Sequence, residues 1–233
     1  MGIHDGHRER LRASFIENGL DSFNELNSLE LLLFYAIPRR NTNELAHRLL
    51  DTFGSLSGVM NAEREELMQV EGVGENAATF ISLIPQIMRK SCISETVNIR
   101  FINGSEDAGK FFVPRFLHKK EETLLMLCLD SLKRIISCTE INCGSVNAVE
   151  TNIRKIVETA LKFRASAVII AHNHPNGIAI PSREDDISTR LVRNALNTVG
   201  IQLLDHIVVA GDDYVSYADS GFFQTKQIDK NDK

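Results

Sequence analysis

Residues 1–90 carry apolar side chains at the three- and four-residue spacing of amphipathic helices. The pattern recurs in four segments, HRERLRASFIENG, SLELLLFYAIP, NTNELAHRLLDTFG and NAEREELMQVEGVG. Residues that stop helices stand at the expected ends, namely Gly19, Pro38, Gly54 and Gly72. Ser28 and Asn43 are candidate amino-terminal caps. The pattern predicts a small all-α domain over residues 1–92.

The pattern changes after residue 100 to short apolar runs typical of strands. We predict strands over residues 123–129, 134–141, 165–171 and 203–210, with a partner strand over 214–217 after a turn at 211–213. Residues 91–100 are expected to be a connector, and residues 226–233 a disordered tail.

Two amphipathic helices are predicted between these strands, over residues 152–163 and 183–198. Their inward faces are expected to hold Ile153, Ile156, Val157, Ala160 and Leu161 in the first, and Ile187, Leu191, Ala195 and Leu196 in the second. Strands and helices in this order predict a layered α/β or α+β domain over residues 100–225.

Charge and composition exclude several classes of function. The net charge is -5 and the sequence pI about 5.8, so the whole molecule is not a polyanion binder, and nucleic-acid contact would need a local basic patch. The four cysteines form no CxxC pair, which excludes a zinc ribbon. No signal-peptide pattern opens the chain, and the longest apolar run, residues 31–37, is far shorter than the ~20 residues of a membrane helix. We therefore expect a cytoplasmic protein with no membrane partner.

One segment, His172 to Asp185, has the residue types and spacing of a metal site. His172 and His174 close an apolar strand, where alternate side chains point the same way and two imidazoles can converge on one ion. Asp185 falls in the first turn of the next helix, which can bring a carboxylate to the two rings. Such a set leaves a fourth tetrahedral position for water, as catalytic zinc requires, although ferrous iron also accepts these ligands.

The same segment has a second interpretation that needs no metal. Ser182 and Asp185 match the S-x-x-[DE] capping box that opens a helix. A single HxH pattern is common by chance, so spacing alone leaves both interpretations open.

The longer motif resembles a known family. His172-x-His174, seven residues, Ser182, two residues and Asp185 is similar to the H-x-H-x(7)-S-x-x-D signature of the JAB/MPN (JAMM) metalloprotease domain. The strings HNHPNG, PSREDD, GIQLLDHIVV and YVSYADSGFF resemble the RadC branch, and the amino-terminal HRERLR to VEGVGENAA segment also looks RadC-like. The resemblance implies an MPN fold (JAB1-like, cytidine-deaminase-like) preceded by a helix-hairpin-helix-like domain.

The resemblance also implies a chemistry. The zinc ligands of the family carry over to His172, His174 and Asp185, with one Zn²⁺ per chain. The implied reaction is the attack of activated water on a peptide or isopeptide carbonyl of a peptide or protein substrate. Ser182 in the family pattern supports the tetrahedral intermediate.

JAMM domains use a glutamate general base at the start of an upstream strand. Glu122 best matches that place, with Glu121 and Glu140 as alternatives. A solvated acidic pair after Lys119-Lys120 is the non-catalytic interpretation.

Two further features bear on the resemblance to the RadC family, of which the first departs from the family pattern and the second matches it. RadC relatives usually carry a His-Pro pair where this chain has Thr151-Asn152, which leaves the metal ligands intact but puts a substrate contact of that loop in doubt. His206 lies in a RadC-like Asp-His pair and is expected to be a core histidine or a residue behind the metal ligands.

Other classes of function stay open. Residues 70–78 contain the Gly-x-Gly turn of a helix-hairpin-helix, which can bind nucleic-acid phosphates. Residues 61–80, however, hold five glutamates and a single arginine, Arg64, which disfavours DNA binding there. A DNA-associated repair accessory protein, a zinc nuclease and a catalytically silent MPN scaffold are the alternatives to a hydrolase.

Overall fold

The computed structural model describes residues 5–38, 40–141, 148–175 and 177–223. The predicted tail, residues 226–233, and the segment 142–147, which contains Cys143, lie outside these ranges. The chain divides into two compact units, one ending at Met88 and one beginning at Arg89.

The first unit is built from helices, as the apolar spacing predicts. They are α1 (Asp5–Asn18), α2 (Glu25–Ala36), α3 (Asn43–Phe53), α4 (Leu56–Asn61), α5 (Arg64–Gln69) and α6 (Glu75–Glu95). Their apolar faces meet in one core that includes Leu29, Leu33, Leu49, Leu67 and Ile81. The prediction of a mostly helical amino-terminal region is confirmed.

Both predicted caps are wrong. Helix α2 begins earlier than Ser28, because the Asn24 side chain accepts a hydrogen bond from the Asn27 N–H and caps the helix. The Ser28 hydroxyl lies inside the helix and donates to the Asn24 carbonyl. Asn43 is already helical, and its N–H donates to the Asn41 side chain.

The predicted connector over 91–100 is wrong for its first half. Helix α6 continues to Glu95 and is followed by a short 3-10 turn, Thr96–Asn98. Residues 86–95 contain neither glycine nor proline, so nothing in them stops the helix.

The turn between α5 and α6 contains the Gly-x-Gly sequence. Gly72 has a φ of 95°, a conformation that favours glycine, and Val73 is buried. The Glu71 carbonyl accepts from Arg48, and Arg64 pairs with Glu75 at 2.6 Å. The helix-hairpin-helix assignment and nucleic-acid binding by this turn stay predictions.

The second unit contains a five-stranded mixed sheet in the order β2-β1-β3-β4-β5. The strands are β1 (Leu124–Leu129), β2 (Ile135–Ile141), β3 (Ala167–Asn173), β4 (Gln202–Ala210) and β5 (Asp213–Ser216). β1 pairs antiparallel with β2 and β3, β3 pairs parallel with β4, and β4 pairs antiparallel with β5. All five strands match predicted ones, with shifts of up to two residues at their ends.

Helices cover both faces of this sheet. On one face α7 (Ser105–Phe116) buries Phe111, Phe112 and Phe116 against β1, β3 and β4. On the other face lie α8 (Ala148–Lys162) and α9 (Arg183–Thr198), which pack on Met126, Val168 and Ile170. The sequence analysis predicts α8 and α9 but assigns no element to α7, whose Gly109 and Pro114 weaken the helical pattern.

Part of the predicted inward face of each helix is wrong. Ile187 and Leu191 of α9 are 52% and 44% exposed, and Leu161 of α8 is 52% exposed. Thr189, Val192 and Leu196 are the buried residues of α9. The helix is therefore rotated about its axis relative to the prediction, so that Asp185 and Thr189, one turn apart, lie on the side toward the sheet.

A buried carboxylate holds the end of the sheet. Asp205 on β4 accepts hydrogen bonds from the Ser216 hydroxyl at 2.6 Å and from the N–H groups of Ala218 and His206 at 2.9 and 2.7 Å. Burial raises the pKa of Asp205, an effect larger than the opposing effect of these three hydrogen bonds. Asp205 therefore joins β4 to the chain beyond β5.

The described part of the chain also bears on membrane insertion. None of its helices has the length and apolar character needed to cross a bilayer.

Replacing Gly109 by alanine tests the packing of α7. Helix propensity alone would make this change stabilising by roughly 0.5–1 kcal/mol. An added Cβ, however, would overlap Cε1 and Cζ of Tyr214 on β5. We expect the free energy of unfolding in urea to fall by about 1–3 kcal/mol. Lys110→Ala on the exposed side is the control, and a more stable Gly109→Ala would contradict this packing.

Asp205→Asn tests the raised pKa of this carboxyl through pH. A raised folded-state pKa means that the charged form costs folding free energy, and this cost disappears as the pH falls toward the ordinary value of 3.8. The wild type should therefore gain stability relative to Asp205→Asn between neutral pH and pH ~4. Chemical unfolding of both proteins across this range measures the difference, and a difference independent of pH would count against the prediction.

Candidate metal centre

The β3–α9–β4 unit brings the predicted ligands together. His172 lies near the end of β3, and the His174 N–H continues the ladder by donating to the Val209 carbonyl at 2.8 Å. After residues 175–181 the chain enters α9, where Asp185 is in the first turn. The loop after β3 and the start of α9 lie at the carboxyl end of β3. Because β3 and β4 are parallel, the carboxyl end of β4 lies at the same end of the sheet.

The three side chains form a compact donor set. His172 Nε2 lies 3.0 Å from His174 Nε2 and 3.2 Å from Asp185 Oδ1, and His174 Nε2 lies 3.6 Å from Asp185 Oδ2. Ligands about 2.0–2.1 Å from a tetrahedral ion are about 3.3 Å apart. The distances are close to this value, and the three residues, each with one donor atom within 4.8 Å of the others, qualify as a possible metal site.

The ring of His174 is oriented by the loop that follows it. Its Nδ1 lies 3.0 Å from the Ile178 carbonyl, which can only accept, so this nitrogen carries the proton. A neutral imidazole has one N–H, and Nε2 of His174 therefore presents a lone pair toward His172 and Asp185.

The capping box and the metal interpretation are both compatible with the geometry of Asp185. Asp185 Oδ2 accepts from the N–H and hydroxyl of Ser182 at 2.8 and 2.7 Å, while its own N–H donates to the Ser182 hydroxyl at 3.1 Å. Oδ1 is turned toward His172. Ser182 thus fixes the carboxylate while leaving one oxygen for an ion, and its predicted role at an oxyanion stays a prediction.

The electrostatic environment keeps Asp185 ionised. Partial burial on its own raises the pKa of this carboxyl, but the hydrogen bond and charge of His172 and the hydrogen bonds of Ser182 outweigh it. The net result is a pKa well below the usual range. An ionised carboxylate is the form that binds a cation.

His206 lies directly behind His172. Its Nε2 is 2.8 Å from His172 Nδ1, its Nδ1 is 2.6 Å from the Thr189 hydroxyl, and its ring stacks on Tyr217 with centroids 4.9 Å apart. Complete burial lowers the pKa of His206 well below its usual value, so the ring is neutral. His206 is therefore a buried core residue, and it also contacts the candidate ligand His172.

Asn173, between the two histidines, was not identified from the sequence. Its side chain is buried on the opposite face of β3, where Oδ1 accepts from the Thr123 N–H at 2.8 Å and Nδ2 donates to the Glu121 carbonyl at 3.1 Å. These bonds fix the backbone on both sides of Glu122. A polar residue inside an otherwise apolar strand was the signal that could have revealed it.

The three glutamates considered as the base have different surroundings. Glu140 is engaged with Lys119 Nζ at 2.6 Å, and Glu121 is exposed, with its carbonyl held by Asn173. Glu122 lines a pocket together with His172 and Asp185. Glu122 is exposed like Glu121, but of the three glutamates it is the one that lines this pocket with two of the predicted ligands.

This pocket has a volume of about 330 Å³ and is lined by both polar and apolar residues. The polar ones are Glu122, Asn152, His172, Glu184, Asp185, Ser188 and His206. The apolar ones are Leu124, Ile153, Ile156, Ile170 and Val192. A concave site with an apolar wall and a few converging polar groups is typical of small-molecule and substrate sites.

Comparison with known proteins shows the family of this chain. The family model described as "RadC-like JAB domain" matches residues 102–222. The chain belongs to the RadC family. RadC-like relatives with near full-length similarity include "UPF0758 protein FN0909" of Fusobacterium nucleatum, 31% identical over 94% of this chain and 97% of the relative. "UPF0758 protein SPO0054" of Ruegeria pomeroyi is 31% identical over 93% and 96%, and "UPF0758 protein Mpe_A2695" of Methylibium petroleiphilum is 32% identical over 91% and 96%.

One departure from the RadC pattern lies at the pocket. Asn152, where RadC relatives usually have proline, is among the pocket-lining residues. The departure therefore changes a pocket wall and not the three metal-ligating side chains.

Metal titration tests the donor set. We expect the full chain to bind one divalent ion, and His172→Ala or Asp185→Ala to abolish stoichiometric binding because each removes one of three ligands. His47→Ala, an exposed histidine on α3, is the control and should bind like the wild type. Calorimetry with zinc and elemental analysis measure this, and undiminished binding by Asp185→Ala would exclude this carboxylate as a ligand.

Proposed function

We propose that this chain is a zinc-dependent hydrolase that cleaves a peptide or isopeptide bond. The observation that carries the proposal is the convergence of His172, His174 and Asp185, two of which, His172 and Asp185, line a pocket together with Glu122. Membership of the RadC family supports it, because the superfamily of JAB domains includes metalloproteases.

The donor set supports zinc as the ion. Two imidazoles and a carboxylate suit zinc better than magnesium, which prefers oxygen ligands. Three protein ligands also correspond to a catalytic zinc site, whereas structural sites usually have four. When bound, Zn²⁺ supplies Lewis acidity that activates water and polarises a carbonyl.

Glu122 is proposed as the general base. It accepts a proton from the attacking water and delivers it to the leaving amine. Asn173 contributes by holding the backbone carbonyl of Glu121 and the N–H of Thr123, so that the intervening Glu122 is held at a fixed place in the pocket.

Ser182 and α9 are proposed to assist at the developing negative charge. The Ser182 hydroxyl donates to Asp185, and the amino terminus of the 16-residue helix α9 adds a positive partial charge beside the site. In this proposal the Ser182 hydroxyl turns its single proton from Asp185 to the oxyanion, while the Ser182 N–H keeps its hydrogen bond to Asp185 Oδ2.

The apolar wall of the pocket indicates what kind of group the substrate brings there. Leu124, Ile153 and Val192 line the same pocket as the polar groups of His172 and Asp185. An apolar side chain near the scissile bond would bury its surface there at about 25 cal/mol per Å². The proposal therefore favours a peptide substrate over a polyanion.

Glu122→Gln tests the base. With zinc content equal to the wild type, the rate of peptide or isopeptide hydrolysis should fall by about 10²–10⁴-fold because the proton acceptor is lost. Glu121→Gln and Glu140→Gln are matched controls that should keep most of the activity. The measurement is a substrate screen with the zinc-loaded full chain. Loss of activity in Glu121→Gln but not in Glu122→Gln would transfer the role, and an inactive wild type across the screen would favour a silent scaffold.

A further inference from the structure

A chain of buried hydrogen-bonding groups runs behind His172. From His172 Nδ1 it passes over 2.8 Å to His206 Nε2, and from His206 Nδ1 over 2.6 Å to the Thr189 hydroxyl. The Thr189 hydroxyl in turn donates to the Asp185 carbonyl at 2.6 Å. His172, His206 and Thr189 are 4%, 3% and 0% exposed, so these groups have little access to water.

The direction of each hydrogen bond follows from the end of the chain. The Asp185 carbonyl can only accept, and the hydroxyl of Thr189 has a single proton, which the carbonyl takes. The Thr189 oxygen must then accept from Nδ1–H of His206. The other nitrogen of this neutral ring, Nε2, is an acceptor, and His172 Nδ1–H is the donor that meets it.

This order decides which nitrogen of His172 is free. With a proton on Nδ1, Nε2 of His172, which faces His174 and Asp185, is the nitrogen at which an ion can replace a proton. The reverse order would put a proton on Nε2 of His172, where an ion has to bind. The two arrangements differ only in which atoms carry three protons. The hydrogen bond from the Thr189 hydroxyl to the Asp185 carbonyl favours the arrangement in which His172 carries its proton on Nδ1.

We propose that Thr189 and His206 are positioning residues that fix the tautomer of His172 and so prepare its Nε2 for the metal ion. The proposal rests on the zinc site of the proposed function. It concerns which ring nitrogen carries the proton. It also gives α9 a second contribution to the centre besides Asp185. The general expectation is that the group behind a ligating histidine changes metal affinity by about 10–100-fold.

Thr189→Val and Thr189→Ser separate this role from core packing. Valine has nearly the shape of threonine but leaves Nδ1–H of His206 without an acceptor, which favours the reverse order of protons. Serine keeps the hydroxyl and loses only a methyl group. A residue needed for packing alone would tolerate valine at least as well as serine.

The experiment measures zinc affinity of the full-length protein by competition with a chromophoric chelator. We expect Thr189→Val to weaken zinc binding by about 10–100-fold, and Thr189→Ser to stay within about threefold of the wild type. Thermal unfolding of both zinc-free variants checks that they are folded. Equal zinc affinity of wild type and Thr189→Val, or equal loss in both variants, would overturn the proposal.

The tautomers are read directly from nitrogen–carbon-proton correlations of the imidazole rings by NMR. In the zinc-free wild type we expect His206 to carry its proton on Nδ1, and in Thr189→Val a shift of this proton toward Nε2. A wild-type His206 ring protonated on Nε2 would overturn the proposal. If the wild type binds no zinc, the proposed function fails, whereas the NMR result still decides the order of protons.

Discussion

Much of the second unit is arranged around two imidazole nitrogens that face each other with a carboxylate beside them. The Nε2 atoms of His172 and His174 are 3.0 Å apart. Two lone pairs at this distance repel unless a proton or a metal ion lies between them. The surrounding contacts hold them there, since the Ile178 carbonyl orients one ring and His206 contacts the other. Side chains oriented by such contacts lose little freedom when they bind an ion, which lowers the cost of binding one.

Helix α9 serves the core and the site with the same face. Asp185, Thr189, Val192 and Leu196 follow the helical period, and their order along the helix runs from the candidate ligand to the hydrophobic core. This explains why Ile187 and Leu191, which are more apolar than Thr189, are exposed. Burying them would turn the Asp185 carboxylate away from the histidines. The helix thus exposes apolar surface to keep a polar centre intact, as functional sites commonly do.

Strand β3 carries two functions on its two faces. His172 points toward α8 and α9, where the pocket lies, while Asn173 points to the opposite face and binds the backbone around Glu122. One short peptide therefore supplies candidate ligands and fixes the segment that carries the proposed base. The register of β1 against β3 pairs Leu124 with His172, so the segment that carries Glu122 enters the sheet directly beside this candidate ligand.

The sequence by itself determined the strands, most of the helices, and the identity of the three candidate ligands. These features are local, because hydrophobic period and the spacing of histidines, serine and aspartate are readable within short windows. It did not reveal α7, whose pattern is interrupted by Gly109, nor the cap at Asn24 and the hydrogen bond of Asn41 before α3, which depend on individual side chains. It also left three glutamates as candidates. Only the tertiary structure decided the rotation of α9, the pairing of Glu140 with Lys119, and the contacts of Asn173 and of His206 with Thr189. Those depend on strand register and on which helix face meets the sheet, and both are fixed by packing between segments that are far apart in the chain.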